Sequence, residues 1–361
     1  GQQSWNQSYR LRALADLYEK TGAEVFAALA RKSMALTLAA RDGPQGRAGP
    51  GNPACGWSSR VYSAAGKERL SLMINQAIIG NALREGCGKL GRRCPEVRKR
   101  EIGATNLCLA RAFEDSFDSS AGLYRIPRGI DHKFAGALAP WNWQVSFAAL
   151  LKGVPVPALN DRAHAIVESF LDEWTSDANG SLWRYWPDGY YRERGVDVED
   201  APSLRYEDTG HAGISLLALK NFERHVSAEH LGEIGKRARF LLTFETHTPR
   251  DLNGAGPESA RWFTSGGWAD LAGDSLRQAY AGSVPGSASA DTVYAYAALF
   301  DPDEVFRLSL DISECSETCE LRRHYSYRTA EGFLLDNPFF LLSRGETSSK
   351  RPDASFRSIK D

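Results

Sequence analysis

No stretch of this 361-residue chain is apolar over the length that crosses a bilayer, about 20 residues for a helix, so no membrane span is expected. An excess of one charge is missing too: 44 Lys and Arg face 45 Asp and Glu. Such a balance argues against a general nucleic-acid or polyanion binder, while leaving room for a local basic cleft. Several catalytic signatures are absent. There is no P-loop, no dinucleotide-type glycine motif, no Gly-x-Ser-x-Gly elbow and no metalloprotease helix, and the patterns that mark those chemistries are set aside with them. No cofactor and no nucleic-acid partner are expected.

What is present begins with cysteine. Cys55, Cys87, Cys94, Cys108, Cys315 and Cys319 make an even set, which suits disulfides in an oxidising compartment. Cys87/Cys94 and Cys315/Cys319 bracket short polar segments and read as local clasps, leaving Cys55 with Cys108; this is one pairing among about fifteen that six cysteines allow. Zinc is the competing use of Cys315-x3-Cys319, but no second close Cys/His pair accompanies it, and no metal is expected. Asn6 and Asn179 open glycosylation triplets, a pattern frequent by chance. The chain starts at Gly1 without an initiator Met, as a processed or trimmed chain would. The cysteines therefore carry the compartment, secreted or periplasmic.

Helical periodicity runs through most of the chain. Helices are expected over 9–20, then from about Val25 to Leu38, and over 67–85, 96–117, 143–152, 161–174, 211–222 and 231–244. Two more are expected near 268–280 and 292–300. Short turns alternate with long loops. The longest loop, 181–213, is rich in Trp, Tyr and Arg. Disorder is depleted in aromatics, so this loop reads as ordered and functional; the plainer reading is a surface excursion pinned by its own aromatics.

A repeat underlies the alternation. Residues 117–125 (FDSSAGLYR) and 174–184 (WTSDANGSLWR) each run from an aromatic helix end through a polar turn to Leu-aromatic-Arg. The helices that follow align as well, Ala149–Gly153 with Leu217–Asn221, and this frame sets Trp143 opposite His211. Extending it to 83–86 puts Asn75 in the same place. The period is about 60 to 70 residues, longer than the roughly 34 to 47 of common solenoids.

Hairpins of this length with Trp/Tyr/Arg-rich loops at one kind of junction resemble the α/α-toroid carbohydrate-active enzymes. These include alginate-type polysaccharide lyases, glucuronyl C5-epimerases and several glycoside hydrolases. The resemblance is architectural and covers most of residues 5–300; the alginate-lyase Asn-Asn-x-His pattern is absent. It implies an all-α toroid of paired helices over 1–312, with its long loops on one rim, and an irregular cap and tail over 313–361. It also implies an enzyme on an acidic, uronate-containing polysaccharide, first of all a lyase. A glycoside hydrolase, a C5-epimerase or a non-catalytic helical-repeat binding protein are the alternatives.

The loop residues fit that chemistry. Aromatic rings stack on the apolar faces of sugars, and Trp141, Trp143, Trp183, Tyr190 and Tyr191 are the candidates. Guanidinium forks bind carboxylates, and Arg125, Arg184 and Arg205 fall in the loops. The competing reading pairs these arginines with acidic residues of the same loops. Elimination at a uronate needs its carboxylate neutralised, a base for the neighbouring C–H and an acid for the leaving oxygen. Tyr206 and His211 are assigned to proton transfer, with Arg205 and Asn142 near the substrate carboxylate. Glu207, Asp208 and His132 complete the binding set, Asp208 being well placed to cap the helix that starts near His211. The competing carboxylate pair for hydrolysis is Asp188 with Glu207 or Asp208.

Overall fold

The computed structural model describes residues 7–49, 51–198, 205–222, 224–242 and 252, with the strand pair at 327–328 and 334–335. Among the described residues the chain is mostly helical. The helices are α1 (Ser8–Thr21), α2 (Glu24–Ala39), α3 (Met73–Leu90), α4 (Glu96–Ala112), α5 (Trp141–Lys152), α6 (Pro157–Asp172), α7 (Asp188–Arg192), α8 (Thr209–Leu219) and α9 (Ala228–Leu242). The strands are short antiparallel pairs. β1 (Phe117–Asp118) meets β2 (Leu123–Tyr124), β3 (Thr175–Asp177) meets β4 (Gly180–Leu182), and β5 (Tyr327–Arg328) meets β6 (Leu334–Leu335). The helices expected at 268–280 and 292–300, the Cys315/Cys319 clasp and most of the 313–361 cap lie outside the described residues.

Apolar character on several faces of a helix requires burial on several sides, and α3 and α5 meet it. Every residue of α5 from Trp141 to Leu151 is buried, and α3 is buried from Met73 to Leu83 without a break. α1 packs on α3, α3 on α5 and α5 on α8, while α2 backs α1, α4 backs α3 and α6 backs α5. The central helices run parallel. Asn81 donates to the Ser146 carbonyl (2.9 Å) and Arg84 to that of Ala149 (2.7 Å), a matched advance along α3 and α5. Arg12–Glu85 and Asp16–Lys89 show the same advance along α1 and α3. Gly80 permits the close approach: a Cβ there would lie 2.6 Å from Asn106 Oδ1 and 2.8 Å from Leu150 Cδ1.

The repeat read from the sequence has a structural counterpart. Residues 117–125 and 174–184 form the β1–β2 and β3–β4 hairpins, each followed by a lone bridge at its arginine, Arg125 to Leu138 and Arg184 to Tyr206. A glutamine in the first turn of the next central helix grips the loop backbone. Gln144 accepts from Tyr124 N (3.0 Å) and donates to Tyr124 O (2.7 Å). Gln76, its counterpart in the repeat frame, does the same to Trp57 (2.9 and 3.0 Å). Several helix boundaries differ from expectation: the helix expected to end at 117 ends at Ala112, the one expected from 161 starts at Pro157, and the largest shift precedes α3. The helix expected from Lys67 starts at Met73, because Leu70 bridges to Ser59 and Arg69 bonds to Ser58, which draws the chain into an extended path.

Two of the expected disulfides are present, Cys55–Cys108 and Cys87–Cys94. The first closes 53 residues of sequence separation, a loop length for which chain entropy stabilises the fold by about 4 kcal/mol. No helix among the described residues is long and apolar enough to cross a membrane.

At the C-terminal ends of the central helices a polar cluster surrounds Glu85. Arg12 from α1 and Lys220 from the end of α8 pair with it. Asn221 donates to it (3.2 Å) and accepts from Arg84 (3.0 Å). Lys152, at the end of α5, donates to the Asn221 carbonyl. Burial alone would raise the Glu85 carboxyl, but Arg12, Lys220 and Arg84 outweigh it and hold it at about 2. A depressed folded-state value stabilises the fold above the unfolded value, about 4.3, and that contribution is lost as pH falls towards 2. Glu85→Gln should therefore lower stability near neutral pH by about 3 kcal/mol, with the gap to wild type closing below about pH 4. Urea unfolding of both proteins at neutral and acid pH checks this; a gap that does not change with pH would contradict it.

Candidate active site

Asp208 stands immediately before α8 and caps it. Its Oδ1 accepts from the backbone N–H of His211 at 2.9 Å and its Oδ2 lies 2.5 Å from His211 Nδ1. Arg205 approaches the same Oδ2 at 3.4 Å. Burial opposes the charged form of Asp208, but the bonds from His211 and the nearby Arg205 hold its carboxyl below the ordinary range. An ionised carboxylate only accepts hydrogen bonds. His211 Nδ1 therefore carries the proton, and the bond to Asp208 fixes the orientation of the imidazole.

A tyrosine flanks this dyad. The Tyr185 ring centroid lies 5.4 Å from that of His211, and the Arg205 guanidinium sits 4.8 Å above the Tyr185 ring. Backbone bonds fix the tyrosine. Its N–H donates to the Arg205 carbonyl and its carbonyl accepts from Trp141 N, both at 3.0 Å. Burial, reinforced by Glu207, pushes the Tyr185 phenol well above its ordinary value, which keeps it protonated. Tyr206, expected as the partner of His211, has Arg237 as its charged neighbour instead. Its backbone forms the lone bridge to Arg184.

The first turn of α5 holds the equivalent rim position. Trp143 is 8% exposed and faces the His132 ring at 5.8 Å. Burial lowers the His132 imidazole, with Asp131 opposing, and its Nδ1 accepts from Phe134 N at 3.2 Å. Phe134 in turn packs on Trp186 at 5.0 Å.

Several expected binding residues belong to the core. Trp141 is fully buried on Phe170, with its indole N–H donated to Glu173 at 2.9 Å. Trp183 is 1% exposed, stacks on Trp174 at 4.8 Å and donates to Glu207. In both cases a carboxylate inside the fold takes the indole N–H that would otherwise favour a surface position. Tyr191 is buried at 8% exposure. Asn142 is wholly buried and its amide has no hydrogen-bond partner among the described residues. Glu207 is also wholly buried, bonded to Trp183 and Ser215, with its carboxyl raised well above the ordinary range by burial. It is not free to flank a glycosidic bond.

The arginines divide. Arg125 pairs with Asp118 and Glu193, Arg184 with Asp188, Arg41 with Glu101 and Arg47 with Asp42. Arg60, Arg128 and Arg194 have no ion-pair partner among the described residues. Arg250 and Arg261 lie outside them. No group of three or more His, Cys, Asp or Glu side chains among the described residues is arranged to hold a metal.

Glu173 and Tyr185 carry no motif in the sequence, yet both position the site. Glu173 accepts from Trp141 Nε1 and from the backbone N–H of Asp188 (3.0 Å), tying α5 to α7. Burial and the neighbouring Asp188 raise its carboxyl to about 7. A carboxyl raised in the folded state binds protons more tightly there than in the unfolded chain, where its value is about 4.3. Its contribution to stability therefore falls as pH rises from about 4.3 to about 7. Glu173→Gln removes the ionisation. Relative to the variant, wild type should lose on the order of 2 kcal/mol between about pH 5 and pH 8, allowing for partial solvent exposure. Denaturant midpoints of both proteins at the two pH values test this; parallel profiles would overturn the role given to Glu173.

Comparison with protein-family models, with curated proteins and with solved structures gave no match to this chain, so no residue role is carried over from a relative.

Proposed function

We propose that this chain is an extracytoplasmic polysaccharide lyase that cleaves an acidic, uronate-containing polysaccharide by β-elimination, on a closed α/α toroid. The observation that carries the reading is the Asp208–His211 dyad with the Tyr185 ring against its imidazole and Arg205 over that tyrosine ring and beside Asp208. His211 Nε2 takes the proton from the carbon next to the uronate carboxylate. Arg205 stabilises the negative charge that builds on that carboxylate. Tyr185, kept protonated by burial, gives its proton to the leaving glycosidic oxygen as the C–O bond breaks and the C=C bond forms. An oriented base and a protonated acid are the two partners this reaction needs. A hydrolase would need two free carboxylates facing each other across the bond; here Asp208 is bound to His211 and Glu207 is buried. The parallel central helices with helices behind them support the toroid, and the two disulfides support an oxidising compartment.

Incubation with a panel of uronate polymers tests the class. A lyase raises absorbance near about 235 nm as unsaturated sugar forms through the base-catalysed C–H step. New reducing ends without absorbance indicate hydrolysis, and binding without turnover indicates a module. His211→Ala and Tyr185→Phe should each lower turnover on the order of 10²–10⁴-fold with the thermal midpoint retained. Tyr206→Phe should cost much less. If Tyr206→Phe is the severe variant and Tyr185→Phe is mild, the acid has been misassigned.

A further inference from the structure

A second feature lies along the same loops. A groove of about 460 Å³, open to solvent, is lined by Arg128, Ala135, Gly136, Ala137, Glu193 and Arg194. We infer that this groove is an anion subsite that takes a carboxylate of the polysaccharide several sugars away from the dyad. The inference rests on the lyase reading for its ligand class.

The charges of the groove do not cancel. Glu193 is already held by both terminal nitrogens of Arg125, at 3.1 and 2.5 Å, and Arg125 Nε is held by Asp118 at 2.7 Å. Arg125 Nη1 also donates to the Gly136 carbonyl at 3.1 Å, and Arg125, with a smaller contribution from Arg194, holds the Glu193 carboxyl below its ordinary range. Arg128 and Arg194 have no ion-pair partner among the described residues, and both are exposed. Arg194 is also pre-positioned. Its guanidinium carbon lies 3.6 Å from the Tyr190 ring centroid, and its Nη1 donates to the Tyr190 carbonyl at 2.9 Å. Tyr190 is backed by Trp186, stacked at 4.1 Å and 11°.

Backbone groups cannot substitute for these side chains. The N–H groups of Ala135, Gly136 and Ala137 donate to His132, Ile126 and Phe134 carbonyls respectively. Recognition therefore falls on two planar guanidinium groups, which match a carboxylate through paired N–H donors. The floor is small for a reason. Gly136 has φ of +82°, and a Cβ there would lie 3.3 Å from Arg128 Cγ, so a larger residue would strain the turn and press on the arginine stem.

The groove is linked to the dyad by contact. His211 meets Tyr185 at 5.4 Å, Tyr185 meets Trp186 at 5.2 Å, Trp186 meets Tyr190 at 4.1 Å, and Arg194 covers Tyr190. The dyad and Arg194 thus stand at the two ends of one run of packed rings, a spacing that an extended acidic chain of a few sugars spans.

The test measures binding by calorimetry in the full-length His211→Ala protein, which holds substrate without turning it over. The probes are tetrasaccharides of galacturonate, mannuronate and glucuronate, their methyl esters, a sulfated neutral tetrasaccharide and inorganic sulfate. At least one uronate tetrasaccharide should bind, its methyl ester at least about tenfold more weakly, a loss consistent with one paired charge contact. Arg128→Ala combined with Arg194→Ala should give a similar loss at an unchanged thermal midpoint, and Arg128→Lys, which keeps charge without the fork, an intermediate one. The inference is overturned if no uronate probe binds, if the double variant binds as tightly as its parent, or if inorganic sulfate competes as well as the tetrasaccharide. Preference for the sulfated probe would also overturn the carboxylate assignment. The two readings separate cleanly. Turnover by a protein indifferent to the arginine changes removes the groove and leaves the lyase. Arginine-dependent binding without turnover of any uronate polymer by wild type removes the lyase and leaves the groove.

Discussion

Glu85 is the charge on which the packing of the central helices depends. It is largely buried, with a side-chain exposure of 13%, and lies among the basic groups of Arg12, Arg84 and Lys220. These come from α1, α3 and the end of α8, and Arg84 reaches on to the Ala149 carbonyl of α5. Without the carboxylate, three cations would face each other in a poorly solvated space, a costly arrangement. With it, they tie together four elements that are far apart in sequence. Asn221 adds direction, since its amide bonds both to Glu85 and to Arg84. Hydrophobic burial is larger in total, but it is not directional. The polar cluster is what sets which helix end meets which.

That alignment determines where the chemistry can sit. With α3, α5 and α8 parallel, the loops leading into them gather at the opposite end from Glu85. Each loop is then anchored to the helix it precedes. Gln76 and Gln144 clamp the backbones of Trp57 and Tyr124. In the third repeat the frame places Ala212 at that position, and Glu207 takes over the aromatic through its side chain, bonding to Trp183 and to Ser215 on α8. The change frees the first turn of α8 for His211. The dyad thus occurs at the one described junction where the repeating clamp has been replaced.

Much of this framework is readable from residue order alone. Helical spacing, the paired hairpin motifs and two cysteine pairings correspond to observed features, because each is local or repeated. The cap made by Asp208 was legible for the same reason, being a short-range pattern. Side-chain facing was harder. Trp141 and Trp183 look like surface aromatics because they sit in loops rich in polar residues, and only the positions of Glu173 and Glu207 show that their indole N–H groups are satisfied inside. Arg125 and Arg184 look available until Glu193 and Asp188 are placed beside them. Tyr185 and Tyr206 are equivalent by composition; the ring contact between Tyr185 and His211 appears only in three dimensions. The glutamine clamps are legible in the sequence too, since Gln76 and Gln144 occupy one position of the same repeat frame.

Parallel central helices have an electrical consequence that no side-chain inventory contains. Each helix carries a macrodipole worth about half an elementary charge at either end. In α3, α5 and α8 these dipoles point the same way, so they add instead of cancelling as they would between antiparallel neighbours. The negative ends converge where Arg84, Lys152 and Lys220 are found, and these cations offset them. The positive ends converge under the loop rim, where Asn75, Trp143 and His211 open the three helices. A chain with a formal net charge of −1 thereby presents a standing positive potential at one end, made of backbone alone. Mutation of surface lysines or arginines would leave that potential in place.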